Sequence, residues 1–193
     1  MNKDGHYNEG FSENSGVKIF YRDYGPKDGD PILMVHGLGA QLVHWPIHLI
    51  NFLQANNFRP ITYDNRDVGL SSRFLNTPSF VIDYVKYFLR LPIKSEYTID
   101  DMASDGINLL DTLNIKKTHI FSTSMGGMIA QIISAQYPER VKSFTLIAST
   151  ASTPSPINAP KKAVRDIMME RSKNPNASHE EILEREIRMV SLI

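Results

Sequence analysis

The chain has 193 residues, 21 Lys plus Arg against 21 Asp plus Glu, 41% apolar residues and no cysteine, the composition of one globular domain or of one domain with a small appendage. Zero net charge leaves no basic field to draw the chain onto phosphate backbones or anionic lipid, so neither nucleic acid nor a membrane is an expected partner. The absence of cysteine excludes disulfide scaffolds, thiolate nucleophiles and Cys-ligated zinc. Short β-branched or aromatic runs alternate with longer stretches of helical period, the pattern of a mostly parallel sheet with helices on both faces. In chain order, a weak strand precedes Gly16, and strands are expected at Val17 to Tyr24 and Ile32 to Val35. A helix over Val43 to Ala55 and a strand over Pro60 to Tyr63 follow. Phe80 to Leu91, stopped by Pro92, reads as an excursion helix lying over the rest. Thr98 and Asp100 offer N-caps to a helix over Ile99 to Leu113, whose apolar residues fall near one stripe. Strand Thr118 to Phe121, helix Met125 to Tyr137 and strand Ser143 to Ala148 complete the alternation. Thr153-Pro154-Ser155-Pro156 then makes a stiff turn into two charged amphipathic helices, Lys161 to Arg171 and Glu180 to Leu192.

The chemistry concentrates after two of these strands. Thr118 to Phe121 leads into Ser122-Thr123-Ser124-Met125-Gly126-Gly127, with a helix immediately behind. A serine at so sharp a turn is exposed above the sheet, with its hydroxyl at the positive end of the helix. Such a turn needs small residues two before and two after the serine, because strand and helix backbones nearly touch there. Ser122 and Gly126 meet the demand, although the G-x-S-x-G pattern has glycine where Ser122 stands, and its side chain is expected to pack against the helix near Ile129 and Ala130. Close packing alone would account for small residues here. The strand before, the helix after and the Gly126-Gly127 pair favour a nucleophile elbow.

His36-Gly37-Leu38-Gly39 directly follows strand Ile32 to Val35. Glycines at this point let an amide N–H turn into the space above the sheet, where it can stabilise an oxyanion. A dinucleotide fingerprint is the competing reading, with Gly37 and Gly39 as its first glycines and Asp64 as the ribose acid, but the third glycine position is Leu42. There is no G-x-x-x-x-G-K-[ST] loop and no clustered ligand spacing, so no metal or organic cofactor is implied.

Taken together, His36 to Gly39, Asp64-Asn65-Arg66-Asp67-Val68-Gly69-Leu70-Ser71, Tyr97 to Met102, Ser122 to Gln131 and Tyr137-Pro138-Glu139-Arg140-Val141 resemble the α/β-hydrolase superfamily, and within it esterases of the aclacinomycin methylesterase type. The resemblance implies Ser124 as nucleophile and the amides of Leu38 and Met125 as oxyanion hole. It makes His36, Gly37, Gly39, Ser122, Gly126 and Gly127 supporting turn residues, and Asp64 to Ser71 a structural turn with Arg66 and Asp67 in local pairs. It further implies a small-molecule ester-like substrate, a core over residues 1–152 and the start of a helical cap over 153–193.

The resemblance also sets the expected gaps. In such enzymes acid and histidine follow the nucleophile in the chain. Downstream of Ser124 the sole histidine is His179, in a segment that reads as the capped start of a surface helix. About six strands are legible where the resembling fold has eight. The expectation is therefore a core cut inside its cap and inactive by itself, with a non-catalytic binding module as the alternative. An unpaired edge at Ser143 to Ala148 would invite self-association. The polar first fifteen residues show no signal peptide, which points to a cytoplasmic protein.

Overall fold

The computed structural model describes residues 7–74 and 95–151, together with Lys162, Asp166, Ser178, Glu180, Glu181, Glu184 and Ile187. The chain divides into two compact units, Met1–Ala151 and Ser152–Ile193. In the first unit a six-stranded sheet runs in the order β1-β2-β4-β3-β5-β6, with β1 Asn8–Asn14, β2 Val17–Asp23, β3 Asp30–Val35, β4 Phe58–Tyr63, β5 Thr118–Thr123 and β6 Val141–Ile147. The β1/β2 and β2/β4 pairs are antiparallel, while β4/β3, β3/β5 and β5/β6 are parallel. Helices α1 Ile47–Ala55, α2 Ile99–Thr112 and α3 Met125–Gln136 connect the parallel strands. Every strand expected from the sequence is present, including the weak one before Gly16.

The period-2 geometry of β3 divides the core. Leu33 and Val35 enter one cluster with Ile61, Tyr63, Ile120 and the buried faces of α2 and α3. Ile32 and Met34 point the other way, into a second cluster with Tyr24, Trp45, Ile50 and Leu53. Helices thus cover both faces, and each cluster removes from water side chains whose burial contributes about 1.5 to 3 kcal/mol apiece.

Helix α1 starts four residues later than its apolar pattern suggests. Pro46 is the N-cap, and Leu42–His44 form a separate 3-10 turn ahead of it. Proline tolerates the helix start and opposes helix on its N-terminal side, because it restricts the preceding residue. Trp45 is freed to lie on His36, with ring centroids 3.9 Å apart. At α2 the expected Thr98 cap is made: its hydroxyl accepts from the Asp101 amide, and Asp101 returns a bond to the Thr98 amide.

Phe80 to Leu91 lies outside the described residues. In the second unit Ser178 and Glu181 form a reciprocal cap, the Glu181 carboxylate accepting from the Ser178 amide at 2.7 Å and the Ser178 hydroxyl accepting from the Glu181 amide. The cap expected in this segment is made by Ser178 and Glu181, while Asn176, Ala177 and His179 are outside the described residues. No helix among the described residues is long and apolar enough to cross a membrane.

Candidate active site

Parallel register sets the location. Val35 pairs with Ser122, and Ser122 with Leu146, so the turns that follow β3 and β5 leave the same edge of the sheet side by side. Ser124 has φ 52° and ψ −123°, a region that L side chains rarely occupy and that stores strain of order 1 kcal/mol or more. It is held there from both sides: its amide donates to the Ile147 carbonyl at 2.9 Å, and its carbonyl accepts from the Gly127 amide at 2.9 Å. Ser124 is solvent-exposed at the N-cap of α3, yet its side chain makes no capping bond. The strained backbone points the hydroxyl away from the helix amides that a capping serine would satisfy.

The glycines around it are fixed by close approach. A Cβ on Gly126 would lie 2.2 Å from the Val35 carbonyl oxygen and 2.7 Å from that of His36, both backbone atoms. On Gly37 it would lie 2.9 Å from Ser124 Cβ, and on Gly127 it would meet Ser149 at 2.4 Å. Gly39 has φ 68° and shapes the same turn. The two turns singled out in the sequence are thus in contact. Ser122 is fully buried, but its hydroxyl donates to the Thr145 carbonyl of β6 at 2.9 Å. The expected partner was the helix behind the elbow; the neighbouring strand takes the hydroxyl instead, because parallel pairing sets the Thr145 carbonyl beside Ser122.

Leu38 is exposed at the tip of its turn. Met125 opens α3, where the first amides have no carbonyl within the helix to bind. No described residue accepts a hydrogen bond from either amide. Both are backbone donors at the edge where Ser124 stands.

The turn carrying Leu38 is fastened by two residues outside the predicted site, Asn65 and Asp64. Asn65 Nδ2 donates to the His36 carbonyl at 3.2 Å, and Asp64 Oδ1 accepts from the Leu42 amide at 2.8 Å. Asp64 Oδ2 also accepts from the Leu70 amide, packed over Gly69 at φ 53°. The signal was the Asp64-Asn65 pair at the end of β4, since Asx residues at strand ends bind nearby backbone. Arg66 and Asp67 form the local pairs expected of them: Arg66 meets Asp105 at 2.6 and 3.0 Å, while Asp67 accepts from the Tyr97 hydroxyl and the Phe74 amide.

His36 stacks on Trp45, and its Nε2 is buried without a partner among the described residues. Burial first, and the neighbouring His44 second, push its pKa down to about 4. It is a neutral structural ring at pH 7. His44 Nδ1 accepts from the Gln41 amide, and His48 is exposed on α1. His119 is the second residue of β5, about 16 Å from Ser124 by strand rise. Among the described residues no histidine bonds to Ser124, and no group of three His, Asp or Glu could hold a metal ion.

The alternating sheet, the strained serine between strand and helix, and the glycine turn packed against it define a recognised class. The α/β hydrolase fold model matches residues 30–180, and the chain belongs to that family. The chain is 25% identical over 187 residues to rhodomycin D methylesterase DauP of Streptomyces sp. (strain C5), covering 89% of this chain and 57% of that protein. It is 29% identical over 131 residues to the putative carbamate hydrolase RutD of Variovorax paradoxus, covering 68% and 42%. Among solved structures, one from a study of carboxylesterases of the thaumarchaeon Nitrososphaera gargenis superposes with a TM-score of 0.63 at 22% identity, covering 88% of this chain and 53% of that one. Cfl2 of Burkholderia cenocepacia gives 0.64 at 22% identity, covering 95% and 56%. The chain spans about half the length of the curated relatives it matches.

Proposed function

We propose that this chain carries the nucleophile and oxyanion half of a serine ester hydrolase acting on a small-molecule ester. Ser124 is the nucleophile, and the amides of Leu38 and Met125 receive the oxyanion. His36, Gly37, Gly39, Ser122, Gly126 and Gly127 shape the two turns, residues 1–152 form the core and 153–193 begin a helical cap. The observation that carries this reading is the Ser124 backbone at φ 52°, ψ −123° between β5 and α3, because a strained, exposed serine at a helix N-terminus is otherwise an expensive way to build a turn. The methylesterase similarity supports the ester class.

In the mechanism, Ser124 Oγ bonds to the acyl carbon as its proton passes to a general base, the carbonyl oxygen takes up negative charge facing the two amides, and the alcohol leaves. The described residues offer Ser124 no base, and on the proposed reading the 193-residue chain by itself has negligible turnover. Loss of triad partners costs several orders of magnitude. Steady-state hydrolysis of p-nitrophenyl acetate tests this: no turnover above buffer is expected, and a steady rate abolished by Ser124→Ala would overturn the inactivity while confirming the nucleophile. Phosphonylation by a fluorophosphonate tests the nucleophile separately, and a label that never maps to Ser124 would count against it.

That no described residue offers Ser124 a base also favours a second reading, a non-catalytic module that binds a ligand or partner on the same edge. Self-association through β6 belongs to both readings. Phe144, Leu146 and Ile147 are 45%, 38% and 45% exposed on this edge strand. A concentration-independent monomer in sedimentation would remove it.

A further inference from the structure

At the opposite end of the sheet, where β3, β5 and β6 begin, a second set of catalytic residue types is bonded together. His119 Nδ1 lies 2.7 Å from Ser143 Oγ, and His119 Nε2 lies 3.2 Å from Asp30 Oδ2. Asp30 Oδ1 is bonded in turn by the Lys142 ammonium. A register irregularity makes the arrangement: Thr118 pairs with Val141, but His119 pairs with Ser143. Lys142 is thus an extra residue in β6, a bulge of the kind that re-aims side chains. Without it Lys142 and Ser143 would point to opposite faces of the strand; with it both reach one cluster.

Each partner restricts the next. The Lys142 ammonium, ahead of the His119 bond, holds the Asp30 carboxyl below the usual carboxylate range, so it is ionised and accepts. A carboxylate can only accept, so the ring nitrogen facing it, Nε2, is the donor there, and Nδ1 is the nitrogen placed to take the Ser143 hydroxyl proton. Phe58 packs against the imidazole at a 79° interplanar angle, 5.7 Å between centroids. Ser143 is exposed. Nucleophile, base and orienting acid thus stand in bonded sequence on three rigid strands, meeting the geometric test for an activated serine.

We propose that Ser143 is a second acyl-accepting serine, activated by His119 and Asp30, that takes the acyl group of small aryl esters independently of Ser124. Ser143 Oγ bonds to the acyl carbon as its proton passes to His119 Nδ1, and the bond to the aryl oxygen breaks to release a phenolate. His119 then returns its proton to solvent. Among the described residues no turn of amides faces the developing oxyanion, so both half-reactions lack that stabilisation. The aryl ester still acylates because its phenolate leaves readily, while the acyl-serine is an unactivated alkyl ester, so the reaction stops at one acyl group per chain.

The test is p-nitrophenyl acetate at neutral pH on the 193-residue chain, with acetylated serines mapped by mass spectrometry over time. Ser143 should acetylate about 100-fold faster than exposed Ser15 in the same sample, the scale of general-base assistance. The label should persist in Ser124→Ala and fall to the Ser15 rate in His119→Gln. Asp30→Asn should slow it about tenfold through loss of ring orientation. The Ser143 to Ser15 ratio is internal to the unmodified chain, so it stands even if a variant fails to fold. Equal rates at the two serines, or a Ser143 rate unchanged in folded His119→Gln, would overturn the proposal.

Discussion

The two ends of the sheet set two serines in opposite surroundings. At the edge where the strands finish, Ser124 has a strained backbone, tight glycines and two amides with no acceptor among the described residues, but no described base. At the edge where they start, Ser143 is bonded to a histidine that is bonded in turn to a carboxylate, beside a bulge in β6 and with no glycine turn packed against it. The contrast teaches that orienting a nucleophile and activating it are separate structural problems. Orientation is a backbone matter, met by close approach of strand, helix and turn; activation is a side-chain matter, met by register between strands.

The sharpest way to break the contrast is Gly126→Ala. The new methyl would collide with two backbone carbonyl oxygens that cannot rotate away, and a loss of more than about 3 kcal/mol, read from the denaturation midpoint, is expected. A loss under about 1 kcal/mol would mean that the elbow is not held tightly.

Next comes the pH dependence of the turn beside Ser124. The folded His36 pKa is pushed down to about 4 from 6.5, so the unfolded chain takes up this proton first. The stability that neutral His36 supplies is fully present above pH 6.5 and is lost as pH falls toward 4, on the order of 2 kcal/mol for a partly exposed ring. Urea midpoints of the chain and of His36→Phe should converge over that window. Because Trp45 is the sole tryptophan and lies against the ring, its emission should be quenched with a midpoint near 4. A midpoint near 6.5 would remove the buried stack.

Ser122→Gly should cost about 1 to 2 kcal/mol, combining the lost bond to the Thr145 carbonyl with added backbone freedom. Ser122→Ala isolates the bond, at about 1 kcal/mol. No change in either would show that the strand had not needed the hydroxyl.

The smallest effect, at Ser124, is read against the same change at Ser143. Ser124→Gly should stabilise the fold by up to about 1 kcal/mol, because glycine accepts φ 52°, ψ −123° without strain. Ser143→Gly should destabilise by about 1 to 2 kcal/mol, combining the lost bond to His119 with added freedom in the unfolded chain. Thermal unfolding of the pair gives the signs, and equal signs would dissolve the distinction between the two ends.

What the sequence determined by itself was everything encoded within a few residues. Alternating runs located all six strands, Thr98 announced its cap, and Ser122 to Gly127 announced the turn, since small residues two before and two after a serine are a local requirement. The late start of α1 was nearly legible too, through Pro46. Tertiary structure alone decided the rest. The Asp30–His119–Ser143–Lys142 cluster joins residues 24 to 112 apart and depends on a bulge between two parallel strands, a register that neither strand's own pattern states. The same holds for Trp45 against His36, for Asn65 fastening the neighbouring turn and for Ser122 bonding across to Thr145. Periodicity tells which face a side chain takes, whereas the partner it finds there is set by how the strands are aligned.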